Sequence, residues 1–86
     1  MASDDLSSRL ERDPAKVECS ICRHRQWFGA TTGRCEQCGS EITLYANRGP
    51  AREALVGLVD AGRVAYLTET DRGLFAVIAN RSFQRP

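Results

Sequence analysis

The chain has 86 residues, a length typical of one small domain spanning 1–86, with 42% hydrophobic residues, 27% charged residues and a formal net charge of +1. This near-neutral balance excludes a strongly basic tail and an acidic solvating segment. A chain this short buries only about 60–65% of its unfolded surface, so small domains often add a metal or disulfides to their core.

The N-terminal segment 1–16 predicts a short helix from Ser3 to Arg12. Ser3 suits the N-cap, two aspartates suit the positive end of the helix dipole, and Leu6 and Leu10 share one face. No apolar region of a secretory signal follows these acidic residues. The longest apolar run is far below the ~20 residues of a membrane span. We therefore expect a cytoplasmic protein without a membrane partner.

Four cysteines dominate the segment 17–46. They form two Cys-x2-Cys pairs separated by twelve residues: Cys19, Cys22, Cys35 and Cys38. Two residues between thiolates let one tight turn present both sulfurs to an ion, and two such turns complete a tetrahedron with Zn–S bonds of about 2.3 Å. Disulfides are disfavoured in a cytosolic chain. The spacing predicts one structural Zn²⁺ per chain, with no coordination position open for hydrolysis.

The residues around the cysteines predict short strands and turns. Trp27-Phe28 and the run from Ile42 to Tyr45 favour strands, and Ala30 to Gly33 favours a turn. Gly39 follows the second cysteine pair, where the chain often needs a conformation that glycine adopts cheaply. Arg23 stands at the corresponding place after the first pair, so we expect the first turn to be the less favourable one.

These motifs, Cys19-Ser20-Ile21-Cys22 and Cys35-Glu36-Gln37-Cys38-Gly39, make the segment 17–45 resemble a zinc ribbon. The resemblance implies a structural metal, in a group of families of which many bind nucleic acid and others are protein adaptors. The spacing also resembles the rubredoxin-like module of rubrerythrins, which implies a redox-active iron. This sequence departs from that module at Arg23 and Glu36, where glycine and proline are usual. The single histidine, His24, is expected to be solvated or to contact a ligand, because four cysteines already satisfy the ion.

The segment 47–80 predicts a helix followed by a β-hairpin. Pro50 suits the first helical position and Gly62 supplies the C-terminal stop. One apolar face recurs at helical spacing: Ala51, Ala54, Leu55, Leu58 and Val59. Gly57 lies inside the helix, off that face.

After Gly62 the hydrophobic period becomes two. The runs from Arg63 to Thr68 and from Leu74 to Ala79 predict strands joined by a five-residue loop, and one face of the hairpin is expected to pack on the helix. The polar tail from Asn80 is expected to be loose, including 81–86. The predicted fold class is therefore α+β: a short N-terminal helix, a small zinc ribbon, an amphipathic helix and a C-terminal β-hairpin.

The order of elements from Pro50 to Ala79 loosely resembles the last helix and the wing of a winged-helix domain. That resemblance implies contacts with DNA, for which Arg63 and Arg72 are the candidates in this chain. The preceding helices of a winged helix are missing from this sequence, and the ribbon stands in their place.

Basic and aromatic residues on the ribbon are the other candidates for binding a partner: Arg23, Arg25, Trp27 and Arg34. Arginine pairs with phosphate, and aromatic rings stack on bases. No catalytic set of side chains can be assembled, so no enzyme is expected. The leading hypothesis is a non-catalytic zinc-ribbon protein that binds DNA or RNA, as a small transcription-related regulator.

Two other hypotheses stay open. One is a protein–protein adaptor or accessory subunit that uses Trp27, Phe28 and exposed apolar residues of the hairpin. The other is a rubredoxin-like iron electron-transfer module. The sequence leaves open whether the protein is a monomer or a homodimer.

Overall fold

The computed structural model describes residues 6–80, in which two helices and six strands are formed. In chain order these elements are α1 (Leu6–Arg12), β1 (Ala15–Glu18), β2 (Arg25–Phe28), β3 (Thr32–Arg34), β4 (Glu41–Tyr45), α2 (Arg48–Asp60), β5 (Ala65–Glu69) and β6 (Phe75–Ala79). The predicted α+β class is confirmed. The expected N-cap at Ser3 and the tail 81–86 lie outside the described residues.

The strands form two antiparallel sheets. β1 and β2 make a hairpin of their own, and the other strands form a four-stranded sheet in the order β3-β4-β6-β5. β4 pairs with β6 over its whole length, from Glu41 opposite Ala79 to Tyr45 opposite Phe75. Because β4 also belongs to the second cysteine hairpin, the ribbon and the C-terminal hairpin share one sheet. β6 lies inside this sheet, so the hairpin does not project as a wing does.

The core lies between the four-stranded sheet and the β1–β2 hairpin. Ile42 and Leu44 on β4 share one face with Ala76 and Ile78 on β6, because opposed residues of paired strands point to the same side. The buried cluster on this side comprises Leu10, Ala15, Val17, Cys19, Phe28, Cys35, Ile42, Leu44, Leu74, Ala76 and Ile78. Two of its members are cysteines, so the metal site is continuous with the apolar core.

The opposite face of the sheet is covered by α2, which contacts β4, β5 and β6. Ala51 is fully buried there, as are Val77 and Ala79 on β6, which confirms that the hairpin packs on the helix. Val59 was predicted to belong to the packed face, and this was wrong, because the residue is 54% exposed. Val59 points about 100° around the helix axis from Leu58, which lies over β4 and β6.

The two ends of α2 explain its length. The helix begins at Arg48 after the extended N-cap residue Asn47, so Pro50 is its third residue and not its first. Proline is tolerated there because the first four N–H groups of a helix have no partner within it. At the other end Gly62 has a φ of 84°, and the N–H of Arg63 donates to the carbonyl of Leu58 at 3.0 Å. This is a Schellman ending, as glycine at that position predicts.

Three further boundaries differ from the expectation. β1 was not predicted, and β3 occupies part of the segment assigned to a turn at Ala30 to Gly33. Both strands are short and depend on their partners: β1 pairs with β2, and β3 pairs with β4. Asn80, the first residue of the expected loose tail, donates its N–H to the carbonyl of Val64 at 2.9 Å. That residue is therefore tied to the start of the β5 strand.

Candidate metal centre and the adjoining surface

The first cysteine pair lies in the turn that closes the β1–β2 hairpin. Glu18 and Arg25 are the last paired residues, so the turn between them is held at both ends. Within it the N–H of Cys19 donates to the carbonyl of His24 at 2.8 Å, and the N–H of Arg23 donates to the carbonyl of Cys19 at 2.7 Å. These two bonds fold the turn tightly enough to bring both sulfurs to one side.

The second cysteine pair repeats this arrangement between β3 and β4. The N–H of Cys35 donates to the carbonyl of Ser40 at 2.8 Å, and the N–H of Gly39 donates to the carbonyl of Cys35 at 2.9 Å. The spacing of both bonds along the chain equals that in the first turn. The two Cys-x2-Cys units therefore form equivalent turns, although only the second has glycine after its last cysteine.

The four sulfurs converge on one point. All of them lie within 4.8 Å of one another, and two short contacts cross between the turns: Cys19 Sγ is 3.7 Å from Cys38 Sγ, and Cys22 Sγ is 3.5 Å from Cys35 Sγ. A disulfide needs an S–S distance of about 2.05 Å, and all four cysteines are free. A zinc tetrahedron with bonds of about 2.3 Å has edges of about 3.8 Å. The donor set fits one tetrahedral, thiolate-preferring ion, as the sequence predicted.

Hydrogen bonds to the sulfurs favour the thiolate form that a metal needs. The N–H of Gln37 donates to Cys35 Sγ at 3.4 Å, and the hydroxyl of Ser40 lies 3.0 Å from Cys38 Sγ. The Ser40 hydroxyl is the main reason that the pKa of Cys38 is lowered from 9.0 to about 6, an effect that the backbone N–H of Ser40 reinforces. Cys38 therefore loses its proton more readily than an ordinary cysteine does.

The pKa of Cys22 is shifted in the opposite direction to that of Cys38. The backbone N–H of His24 lowers its pKa, but burial and the three neighbouring thiols act the other way and raise the pKa to about 12. Without a cation, four sulfurs this close cannot all become anionic, because each new charge is repelled by those already present. A bound divalent ion removes this repulsion, and it binds at the cost of displacing the remaining protons.

Two side chains, one on β2 and one just before it, connect the two cysteine hairpins. The Gln26 amide accepts from the N–H of Glu36 at 2.9 Å and donates to the carbonyl of Arg34 at 3.2 Å. His24 Nε2 lies 2.9 Å from a Glu36 carboxylate oxygen. His24 is therefore not a fifth ligand, and it contacts the turn that carries the opposite cysteines.

Ser40 and Gln26 were not singled out from the sequence. Ser40 stands two residues after the second cysteine of its pair, as His24 does in the first pair, so this equivalence in the repeat was a usable signal. Gln26 had no such signal, because its role depends on how the two hairpins meet.

The predicted partner-binding residues fall in different places. Arg25 and Trp27 lie on β2 with exposed side chains, and Arg23 is nearby in the first turn, since Glu18 pairs with both arginines. Arg34 is exposed on β3. These four residues belong to the ribbon, but only Arg23, Arg25 and Trp27 share the first hairpin.

Arg63 and Arg72 are held in ion pairs at opposite ends of β5. Arg63 is paired with Glu41 at 3.2 Å and donates to the Asn80 carbonyl, and only 22% of its side chain is exposed. Arg72 is paired with Asp13 at 2.7 Å, which ties the β5–β6 loop to the segment after α1. Because the two arginines lie at opposite ends of β5, they do not form one phosphate-contacting surface.

Comparison with known proteins identified no relative: no protein-family model matches the chain, and no curated protein or solved structure gave a significant match. Within residues 6–80, no helix is both long enough and apolar enough to cross a membrane.

Proposed function

We propose that this protein is a non-catalytic, zinc-stabilised ribbon that binds single-stranded DNA or RNA through the outer face of its first hairpin. The observation that supports this most is the exposure of Trp27. Its side chain is 58% exposed in the middle of a regular strand, whereas the neighbouring Phe28 is only 5% exposed. A large aromatic surface left in water beside arginines is typical of sites where bases stack.

Side chains along β1 and β2 alternate between the core and the solvent, and those that point to the solvent form this outer face. Ala15, Val17 and Phe28 point into the core, and the residues between them point outward: Lys16, Glu18, Arg25 and Trp27. Lys16 stands directly opposite Trp27, and its ammonium lies 5.5 Å from the centre of the indole ring. We refer to these four residues together with Arg23 as the hairpin face.

The charges of the hairpin face suit a polyanion. It carries three cations and one anion, Glu18, which lies 3.7 Å from Arg23 and 3.5 Å from Arg25. Exposed pairs of this kind are worth at most about 1 kcal/mol, so a phosphate can replace the Glu18 carboxylate at low cost. Stacking requires a base that is not already stacked in a duplex, which is why we propose a single strand.

The metal has a structural part in this proposal. Four thiolates fill a tetrahedral ion and leave no position for a substrate or a water nucleophile. The ion would fix the turn that carries Arg23 and the start of β2, and so hold the hairpin face in shape. Zinc is the proposed ion; elemental analysis and the absence of colour would separate it from the red iron centre of a rubredoxin-like module.

The single tryptophan makes the test direct, because fluorescence excited at wavelengths that tyrosine does not absorb reports on Trp27 alone. Titration with a single-stranded oligonucleotide should quench this fluorescence, and the affinity should fall as salt is raised. The matched duplex should bind more weakly and quench less. If neither nucleic acid binds at low salt, the proposal is wrong and the adaptor hypothesis becomes the better one.

Variants separate stacking from charge when binding is followed by the anisotropy of a labelled oligonucleotide. Trp27→Ala should cost about 1–3 kcal/mol per stacked base, roughly 5- to 150-fold in affinity. Arg25→Ala should weaken binding and reduce the salt slope by about one. Arg52→Ala is the matched control, because it removes an exposed arginine from α2, on the other side of the sheet. Equal losses for Arg25→Ala and Arg52→Ala would mean that the hairpin face is not the site.

The structure leaves the adaptor hypothesis fewer residues for contact with a partner than the sequence suggested. That hypothesis relied on Trp27, Phe28 and exposed apolar residues of the C-terminal hairpin, but Phe28 is buried in the core and cannot reach a partner. Trp27 is equally available to a protein, so the nucleic-acid titration decides between these two uses of the same residue.

A further inference from the structure

Exposed apolar side chains concentrate at one edge of the molecule. Among the described residues, six large hydrophobic side chains are exposed: Ile21, Trp27, Val56, Val59, Val64 and Tyr66. Trp27 belongs to the hairpin face, and Ile21 lies in the first cysteine turn. The other four lie on α2 or in and next to β5, and each is 45–54% exposed. This clustering has no part in the proposed nucleic-acid site.

β5 is an edge strand without the usual protection. It pairs with β6 on one side, and within residues 6–80 no strand pairs with its other side. Its charge lies at its end, at Glu69, and the residues from Val64 to Thr68 include neither a charge nor a proline, although proteins commonly place such residues along exposed edges to prevent pairing. β3, at the opposite edge of the sheet, is protected: it has three residues, including Gly33 and Arg34.

The exposed apolar residues of α2, Val56 and Val59, lie on the side of the helix next to this edge. Arg48 lines a depression together with Leu67 and Glu69 of β5, whereas Leu58 lines one with Thr43 of β4. Val59 follows Arg48 by eleven residues, which at about 100° per residue returns it to within about 20° of the same side. Val59 therefore lies on the β5 side of α2, and Val56 lies further round the same flank towards solvent.

We propose that this edge is the interface of a homodimer, in which β5 pairs antiparallel with β5 of a second copy around a two-fold axis at Tyr66. The two sheets then become one sheet of eight strands. A two-fold axis perpendicular to the sheet keeps both α2 helices on the same face. The Val56 and Val59 flanks of the two copies then face each other above the joined strands.

The charges at the two ends of the β5 strand favour a second copy as the occupant. Pairing centred on Tyr66 places Glu69 of each copy opposite Arg63 of the other, since both are three residues from Tyr66. Glu69 is exposed, whereas Arg63 is held by Glu41 and by the Asn80 carbonyl, and 22% of its side chain is exposed. In the dimer, Arg63 therefore bridges Glu41 of its own chain and Glu69 of the second copy. Parallel pairing in register would instead place like charges side by side. The strand is therefore complementary to itself in the antiparallel arrangement alone.

The first measurement is the mass of the full, metal-loaded protein by sedimentation equilibrium over a range of concentrations. We expect it to rise from one chain of 9.5 kDa to twice that mass. Tyr66→Lys and Tyr66→Glu should each weaken the dimer roughly tenfold or more, because the two-fold axis brings like charges together. An equimolar mixture of the two variants should restore the dimer. Thr32→Lys, on the other edge of the sheet, is the matched control and should leave the mass unchanged.

The proposal fails if the wild-type protein has the mass of one chain at every concentration. It also fails if Tyr66→Lys dimerises as well as the wild type, or if the mixture of charged variants stays monomeric. Circular dichroism checks that each variant is folded. If a Tyr66 variant does not fold, Val59→Lys tests the same interface from the helix and should also weaken the dimer, whereas an unchanged mass would again overturn the proposal.

Discussion

Arg23 and Gly39 occupy the same place in two equivalent turns and share the same left-handed backbone, with φ angles of 71° and 80°. Within residues 6–80, Arg23 is the one non-glycine residue with a positive φ. The left-handed region costs a residue with a Cβ about 1–2 kcal/mol. The first cysteine turn therefore carries strain that the second avoids, and its hydrogen bonds and the metal must offset it.

The first prediction is that Arg23→Gly stabilises the metal-loaded protein by about 0.5–1 kcal/mol. The relief of strain exceeds the extra freedom that glycine gives the unfolded chain. The lost pair with Glu18 spans 3.7 Å between exposed side chains and contributes little. Denaturant unfolding in excess zinc measures the change. Gly39→Ala is the matched control and should destabilise by about 1 kcal/mol; an Arg23→Gly protein less stable than the wild type would contradict the strain argument.

The second prediction concerns Ser40, whose hydroxyl lies 3.0 Å from Cys38 Sγ. Ser40→Ala should weaken zinc binding by about 10- to 100-fold, as is usual when a hydrogen bond to a metal ligand is lost. The hydroxyl lowers the pKa of Cys38 to about 6, so its removal raises that pKa towards 9.0. Protons then compete with the metal at a higher pH. Zinc should therefore leave the variant at a higher pH than the wild type as the solution is acidified.

A colorimetric chelator that reports released zinc during an acid titration measures this shift. Ser20→Ala is the matched control, because Ser20 lies in the other turn and makes no hydrogen bond to a sulfur among the described contacts. The control should release zinc at the wild-type pH. Superimposable release curves for Ser40→Ala and the wild type would show that the hydroxyl does not support the thiolate.

The metal ligands could be predicted from the sequence because the determinants are local. Two cysteines three positions apart in a tight turn place their sulfurs together whatever the rest of the chain does. The helix boundary at Gly62 was predictable for the same reason, since a single left-handed residue ends the helix. Features that depend on one turn or one helix cap can therefore be predicted from a few consecutive residues.

The remaining features depend on which strands meet. Nothing local indicates that β4 pairs with β6, yet this pairing joins the ribbon to the C-terminal hairpin. Val59 has the spacing of a packed residue, but among residues 6–80 the sheet ends at β5 and Val59 remains 54% exposed. Arg63 resembles a free surface cation in the sequence, and its ion pair with Glu41 links residues 22 positions apart. In each of these cases the environment of the residue depends on elements that are distant in the sequence.

The third prediction contrasts two glycines. A Cβ at Gly33 would lie 2.7 Å from Cε2 of Phe28, so Gly33→Ala must displace a buried ring and should destabilise the protein by about 1–3 kcal/mol. A Cβ at Gly57 meets nothing within 4 Å in the helix interior, so Gly57→Ala should stabilise by about 0.5–1 kcal/mol. Thermal unfolding of both variants under one condition tests the pair. A Gly33→Ala protein as stable as the wild type would contradict the packing of Phe28 against β3, and a destabilised Gly57→Ala protein would contradict the open space at Gly57.

The fourth prediction is that the fold requires its metal. Cys19 and Cys35 are 1% and 2% exposed and belong to the apolar core, so four sulfurs without an ion would place mutually repelling or unsatisfied groups there. Metal-binding energy is folding energy in such modules. A strong chelator, or Cys38→Ser, should abolish the cooperative unfolding transition and the dispersion of amide signals in NMR spectra. Returning zinc to the chelated wild type should restore both at one ion per chain.

His24→Ala is the control that separates ligand loss from damage beside the site. His24 contacts Glu36 at an exposed position and is not part of the sulfur cluster, so the variant should keep one zinc per chain and lose at most about 1 kcal/mol of stability. A Cys38→Ser protein that keeps native spectra and a cooperative transition would show that the apolar core suffices without the metal. Loss of zinc from His24→Ala to the same extent as from Cys38→Ser would instead show that the four cysteines are not the complete ligand set.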